Sequence, residues 1–289
     1  MNKVQKMKIA IVTDSNSGIF ERQARKMGVH VVPMPFSVNG EWLYEGVQLT
    51  APDFYKAQAE GADITTSMPS PADVTELWEK LLADHDELVY IPMTSGLSGS
   101  CATAAALAED YDGRVQVVDN KRISLTQLQS VLDAKRLVKR GLTAAQVKAQ
   151  LEQHALDASI YITCSDLKYL KKGGRITPAA AAIGTVLNIK PVLQIQGGKI
   201  DAYAKVRGMR QAVEKMLDAI CDDITGRFNG MNLHIGTAYS GDAELGKKWQ
   251  KYVQSRLPRC RVHSAPLSLS IACHTGPGAV GVGCFYYEK

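Results

Sequence analysis

No two of the six cysteines, Cys101, Cys164, Cys221, Cys260, Cys273 and Cys284, stand in a C-x-x-C spacing, which leaves no redox motif of that kind. The first residues, MNKVQKMKIAIVTDS, pass from a basic start straight into a β-type stretch. No extended apolar region or small-residue cleavage site marks a secretory leader there. The thiols are therefore expected to be reduced and mostly buried, and the compartment to be the cytoplasm. No apolar run approaches the ~20 residues of a membrane span, so no stable membrane insertion is expected. None of His30, His85, His154, His234, His263 and His274 falls in an H-E-x-x-H or other metal-binding spacing. A dense Lys/Arg block with interleaved aromatics is also missing, and the net charge of +5 is too mild to point to nucleic acid.

What is present is enough apolar sequence for a sizeable core: 45% of 289 residues are hydrophobic. In the first half, β-type runs (9–14, 29–36, 87–93, 115–119) alternate with helical stretches. Pro33 and Pro35 put the second run at a sheet edge or a strand end, and the Asn-Gly pair in 37–42 reads as a hairpin turn. Thr50 and the Ser70-Pro71 pair open helices, and Gly141 separates helical stretches at 123–140 and 143–155. Such alternation predicts a parallel sheet covered by helices. From residue 158 the pattern changes to strands at 159–165, 232–240, 261–267 and 279–287. A Gly197-Gly198 hairpin spans 190–206, and helices are expected at 178–187, 209–223 and 242–254. The expected fold is α/β in two domains: a parallel α/β domain over 1–157 and an α+β domain with antiparallel strands over 158–289.

Residues 90–106, YIPMTSGLSGSCATAAA, end a strand in small hydroxyl residues and glycines before a helix. Free N–H groups at a helix start, with the hydroxyls of Thr94, Ser95, Ser98 and Ser100, can bind an anion; the same pattern also serves as a plain N-cap and turn. The stretch lacks the lysine of a P-loop. Its Gly96-Leu97-Ser98-Gly99-Ser100 run has serine where a nucleophile elbow needs its last glycine. TTSMPSP (65–71) repeats the theme of hydroxyls ahead of a proline-started helix. Asp14, at the end of the first strand, reads as a capping or loop-pinning residue. His274 stands among Thr275, Gly276, Pro277 and Gly278, where backbone can approach a ligand and an imidazole can carry charge near neutral pH. In KYLKKGGRI (168–176), two glycines form a turn that would thrust Arg175 outward at a basic tip.

IVTDS (11–15), TSMPSP (66–71), SGLSGS (95–100), KKGGRI (171–176) and HTGPGAVG (274–281) resemble, in order and across nearly the whole chain, the motifs of the DegV family. The resemblance implies a long-chain fatty acid in a tunnel between two domains. It also implies a non-enzymatic role, with no cofactor, as the fatty-acid-binding partner of an ATP-dependent fatty acid kinase subunit that makes acyl phosphate for phospholipid synthesis. Carried over by motif, Thr66, Ser67, Ser95, Ser98, Gly99, His274 and Thr275 hold the carboxylate, and Arg175 and Lys172 meet the kinase. The chain departs from the family in two places. Ser100-Cys101-Ala102 replaces the usual Thr-Tyr-Gln, and DNKRISLTQLQ (119–129) has no glycine where the family has a Ser/Gly-rich segment. Two other readings stay open: a hydrolase or phosphotransferase using a serine of 95–100 with His274 and Asp14, and a sensor of a small phosphorylated anion.

Overall fold

The computed structural model describes residues 7–183 and 189–289. Along the first half run β1 (Ile9–Asp14), α1 (Glu21–Met27), β2 (His30–Val32), β3 (Pro35–Val38), β4 (Glu41–Tyr44), α2 (Ala51–Ala59) and β5 (Ile64–Thr66). They are followed by α3 (Pro71–Leu82), β6 (Glu87–Ile91), α4 (Ser100–Ala108), β7 (Val115–Val117), α5 (Leu125–Lys139) and α6 (Ala144–Gln153). The second half holds β8 (Ala158–Thr163), α7 (Lys168–Gly173), α8 (Pro178–Ile183), β9 (Ile189–Ile195), β10 (Asp201–Arg207) and α9 (Gly208–Thr225). It ends with β11 (Leu233–Tyr239), α10 (Ala243–Arg256), β12 (Val262–Pro266), α11 (Leu269–Thr275) and β13 (Val280–Tyr286). The end of the helix expected over 178–187 lies outside the described residues.

Four parallel strands form a sheet in the order β2-β1-β6-β7. Alternation sends Ala10, Val12, Leu88 and Tyr90 to one face, where Trp78 and Ala104 of α3 and α4 cover them. Ile11, Val89 and Ile91 face α5 and α6 through Val131, Leu137 and Val147. This is the doubly covered α/β layer that the alternation predicts. The single strand expected over 29–36 is split: β2 stays in the parallel sheet, while β3 leaves it for a three-stranded antiparallel sheet, β4-β3-β5. Proline cannot continue a ladder as a donor, and Pro33 and Pro35 bracket the change of sheet. The Asn39-Gly40 turn is present, both residues having positive φ, 51° and 89°, as a tight hairpin turn requires.

The third sheet has the order β10-β9-β8-β13-β11-β12. It is antiparallel except at one edge, where β12 runs parallel to β11 after the α10 crossover. Its outer face packs Tyr161, Val192, Val280 and Val282 against α9 and α10. Its inner face contributes Ile162, Leu193 and Ile195 to a core shared with Phe36, Phe54 and Ile64 of the first half. No helix among the described residues is long and apolar enough to cross a membrane. All six cysteines are unpaired, and four are buried.

The tip of the β9–β10 hairpin touches the Ser/Gly motif of the first half. Thr94 Oγ1 donates to the Gly197 carbonyl at 3.0 Å. A Cβ on Gly96 would lie 2.7 Å from Gly197 O and 2.7 Å from the Gly198 carbonyl carbon. Gly96 is thus a backbone-to-backbone contact between the halves. Gly96→Val is expected to lower stability by about 1–3 kcal/mol, because backbone rather than a pliable side chain must move. Urea unfolding would register this as a lower midpoint, and an unchanged midpoint would show that the contact carries no load.

Candidate functional site

The carboxyl ends of β1 and β6 face the inner side of the six-stranded sheet. These neighbours send their connections in opposite directions, β1 to β2 and β6 to β7, which makes the gap between them the switch point of the sheet. A cavity of about 960 Å³, its open mouth included, begins there, with Asn16 and Met93 on its wall. Most of the lining is apolar, including Met34, Leu97, Ile123, Ile160, Ile162 and Ile195, and polar groups are few. Its mostly apolar lining with a few convergent polar groups suits a small-molecule site.

Thr66, Ser67, Ser98, His274, Thr275 and Arg175 all line this cavity. Thr66 Oγ1 and His274 Nε2 share a hydrogen bond of 3.0 Å across 208 residues of sequence. Thr66 closes β5, held in register opposite Phe36. His274 rides on the last turn of α11, a helix absent from the sequence reading, whose start is capped by Ser268. The glycines of KKGG have a specific task here. A Cβ on Gly173 would lie 2.1 Å from His274 Nδ1, so only glycine admits the ring. Gly174, at φ 65°, ends α7. The sequence reading put Arg175 on an outward tip. Instead the chain turns inward after Gly174, leaving Arg175 half-buried on the cavity wall with Nη1 donating to Gly173 O. Burial, and then the nearby Arg175 charge, lower the His274 pKa to about 4. The ring is therefore neutral at neutral pH, not a carrier of charge there.

Ser95, Gly99 and Lys172 are not on the wall. Ser95 Oγ accepts from Lys121 Nζ at 2.6 Å, and its N–H donates to Asp119. Gly99 is the residue before the first turn of α4. Lys172 is exposed and pairs with Asp63 at 2.6 Å. Asp14 is wholly buried and accepts from the N–H groups of Met93 (2.7 Å) and Asn16 (2.9 Å) and from Gln127 Nε2 (3.1 Å). It pins loops, and no carboxylate among the described residues bonds the His274 ring. The segment 119–129, which departs from the family pattern, supplies Ile123, Ser124, Leu125 and Thr126 to the wall. No cluster of three or more His, Cys, Asp or Glu able to hold a metal occurs among the described residues.

The model of the DegV family, described as an uncharacterised protein family, matches residues 8–287. The chain belongs to the DegV family. A DegV domain-containing protein of Deinococcus radiodurans is 31% identical over 277 residues, 96% of this chain and 98% of that protein. Among solved structures, a fatty-acid-binding DegV protein from Thermus thermophilus is 33% identical, with a TM-score of 0.87 over 97% of this chain and 100% of its own. A stearic-acid-binding protein from Eubacterium ventriosum is 27% identical, with a TM-score of 0.87 over 96% and 98% of the two chains.

One residue of this DegV chain that the motifs did not reveal is Glu45, only 2% exposed. Ser15 Oγ donates to it at 2.8 Å, and the Leu269 N–H donates to its other oxygen. It therefore ties the end of β1 to the start of α11, the helix that carries His274. In sequence it is a glutamate before glycine after a hairpin, indistinguishable from a surface loop. No lysine or arginine pairs with it among the described residues, and burial, outweighing its hydrogen bonds, raises its pKa from 4.5 to about 7. A raised carboxyl pKa means the folded state holds the proton more firmly than the unfolded chain. The resulting stability is fully present below about pH 4.5 and is lost as pH rises through about 7. Glu45→Gln removes this titration. In paired thermal melts the wild type is expected to lose ground to Glu45→Gln between pH 5 and pH 8; a constant gap between the two would contradict the assignment.

Proposed function

We propose that this protein binds a long-chain fatty acid and presents its carboxylate to a separate, ATP-dependent kinase subunit that forms acyl phosphate. The observation that carries the reading is a largely apolar cavity whose wall brings Thr66 and His274 together beside Arg175. Burying an alkyl chain is worth about 0.8 kcal/mol per methylene, hence roughly 10 kcal/mol for a long chain before ordering costs. A carboxylate taken from water needs donors. In this reading Thr66, Ser98 and His274 supply them, with Ser67 and Thr275 beside them. The fatty-acid-binding descriptions of the Thermus and Eubacterium proteins support the reading. Residues 1–157 and 158–289 are then the two domains on either side of the ligand, and the protein is a cytoplasmic carrier rather than an enzyme. Arg175, at the wall, and Lys172, exposed on α7, would face the kinase. A serine hydrolase is disfavoured because Asp14, its would-be orienting group, is committed to Met93, Asn16 and Gln127. A small phosphorylated anion would leave the apolar wall of Met34, Ile160, Ile162 and Ile195 without a use.

Two variants separate binding from transfer. Thr66→Ala is expected to weaken fatty acid affinity about tenfold or more, the worth of a hydrogen bond to a charged group. Arg175→Ala is expected to retain bound fatty acid, because this reading assigns the guanidinium to the kinase and not to the carboxylate, while acyl phosphate formation with the kinase subunit and ATP falls at least about tenfold. Turnover like that of the wild type in Arg175→Ala would refute the presenting role. Unchanged affinity in Thr66→Ala would refute the placement of the carboxylate.

A further inference from the structure

The wall of the cavity differs along β13. Gly281 and Gly283 line the cavity, and a Cβ on either would first meet β8: Tyr161 O at 3.3 Å in one case, Ser159 O at 3.0 Å in the other. The three nearest atoms to either Cβ all belong to β8, so this part of the sheet is a floor without side chains of its own. At Gly236, the register partner of Gly283 on β11, the situation reverses. A Cβ there would lie 2.8 Å from Leu125 Cδ1 and 3.1 Å from Phe285 Cε1. Both side chains line the cavity, and neither belongs to any of the four hydrophobic cores. Phe285 is only 3% exposed and Leu125 is half-buried, and both pack on Gly236 beside the cavity.

Phe285 is also remote from the polar end. It stands five residues beyond Val280, where β13 leaves the loop after α11, or roughly 17 Å along the strand. Behind it, off the cavity wall, stand polar groups. The His234 ring meets Phe285 edge-on at 6.3 Å, with Nδ1 bonded to Gln129 Oε1 at 2.9 Å. An alkyl terminus pushed past the phenylalanine would have to break into that pair, leaving polar groups unpartnered.

We infer that Leu125 and Phe285, packed on Gly236, form an end wall that sets the length of acyl chain the cavity accepts. The inference rests on the fatty-acid reading above. Leu125 opens α5, where alanine is a good helix former, so Leu125→Ala should fold and remove only the wall. Gly236→Ala acts in the opposite sense: its new methyl group, 2.8 Å from Leu125 Cδ1 and 3.1 Å from the Phe285 ring, presses both side chains toward the cavity.

The test is displacement of a fluorescent fatty acid from the full-length, delipidated protein by saturated acids of increasing length. For the wild type, affinity should climb about fourfold per added methylene up to a limiting length and then stop climbing. In Leu125→Ala the limit should move about two to three carbons longer, matching the carbons removed from the side chain. In Gly236→Ala it should move shorter. A limit that stays in place in both variants overturns the end wall while leaving fatty acid binding intact. Failure to bind an acid of any length overturns the fatty-acid reading, and this inference with it.

Discussion

Backbone contact between Gly96 and the Gly197-Gly198 tip fixes how closely the two halves of this chain approach each other. Thr94 locks the contact with its hydroxyl. Leu97 and Ser98 follow directly on one side, and Ile195 and Ile200 flank the tip on the other; all four line the cavity. Closure at this rim is as tight as glycine permits. The inner face of the six-stranded sheet is meanwhile bare at Gly281 and Gly283. The cavity is therefore built into the pairing of the halves. Glycine inside a strand costs about 0.5–1 kcal/mol relative to alanine, and here the missing side chains are what leaves room beside the sheet.

The polar groups around this space are arranged with equal economy. Asp14 and Glu45 are buried carboxylates, and burial raises the pKa of each. Neither is used on the cavity wall. They hold Met93 and Asn16, which line the wall, and Ser15 and Leu269, which stand next to lining residues. The wall itself carries hydroxyls, the Asn16 amide, a neutral imidazole and one guanidinium among its described residues. Donors without a competing carboxylate suit an anionic head group, because a hydrogen bond to a charged acceptor is about twice as strong as a neutral one.

Much of the frame was legible because it is written locally. Thr50 and Ser70 accept from the N–H groups of Asp53 and Asp73, as capping residues do. Asn39-Gly40 makes the hairpin turn, and Gly141 breaks α5 from α6 with φ 93°. What was not legible depends on distant partners. Strand periodicity runs through Pro33 without showing that β3 joins a different sheet. The helix α11 is seven residues long, too short for a periodic signal, and its stability comes from Ser268 and Glu45. The KKGG motif predicts a turn that exposes Arg175, but Gly173 instead makes space for His274, a residue about 100 positions away. Ser95 and Ser98 are equivalent in a motif; only the Asp119–Lys121 pair beside one of them separates the two.

The account stands or falls on what occupies the cavity. The most direct measurement is mass spectrometry of small molecules released on denaturing the purified protein, repeated after incubation with palmitate or oleate. The account requires a long-chain monocarboxylic acid near one equivalent per chain, either carried through purification or taken up from the added acid. A phosphorylated metabolite in its place, or no uptake of either acid by protein that remains folded, would contradict it.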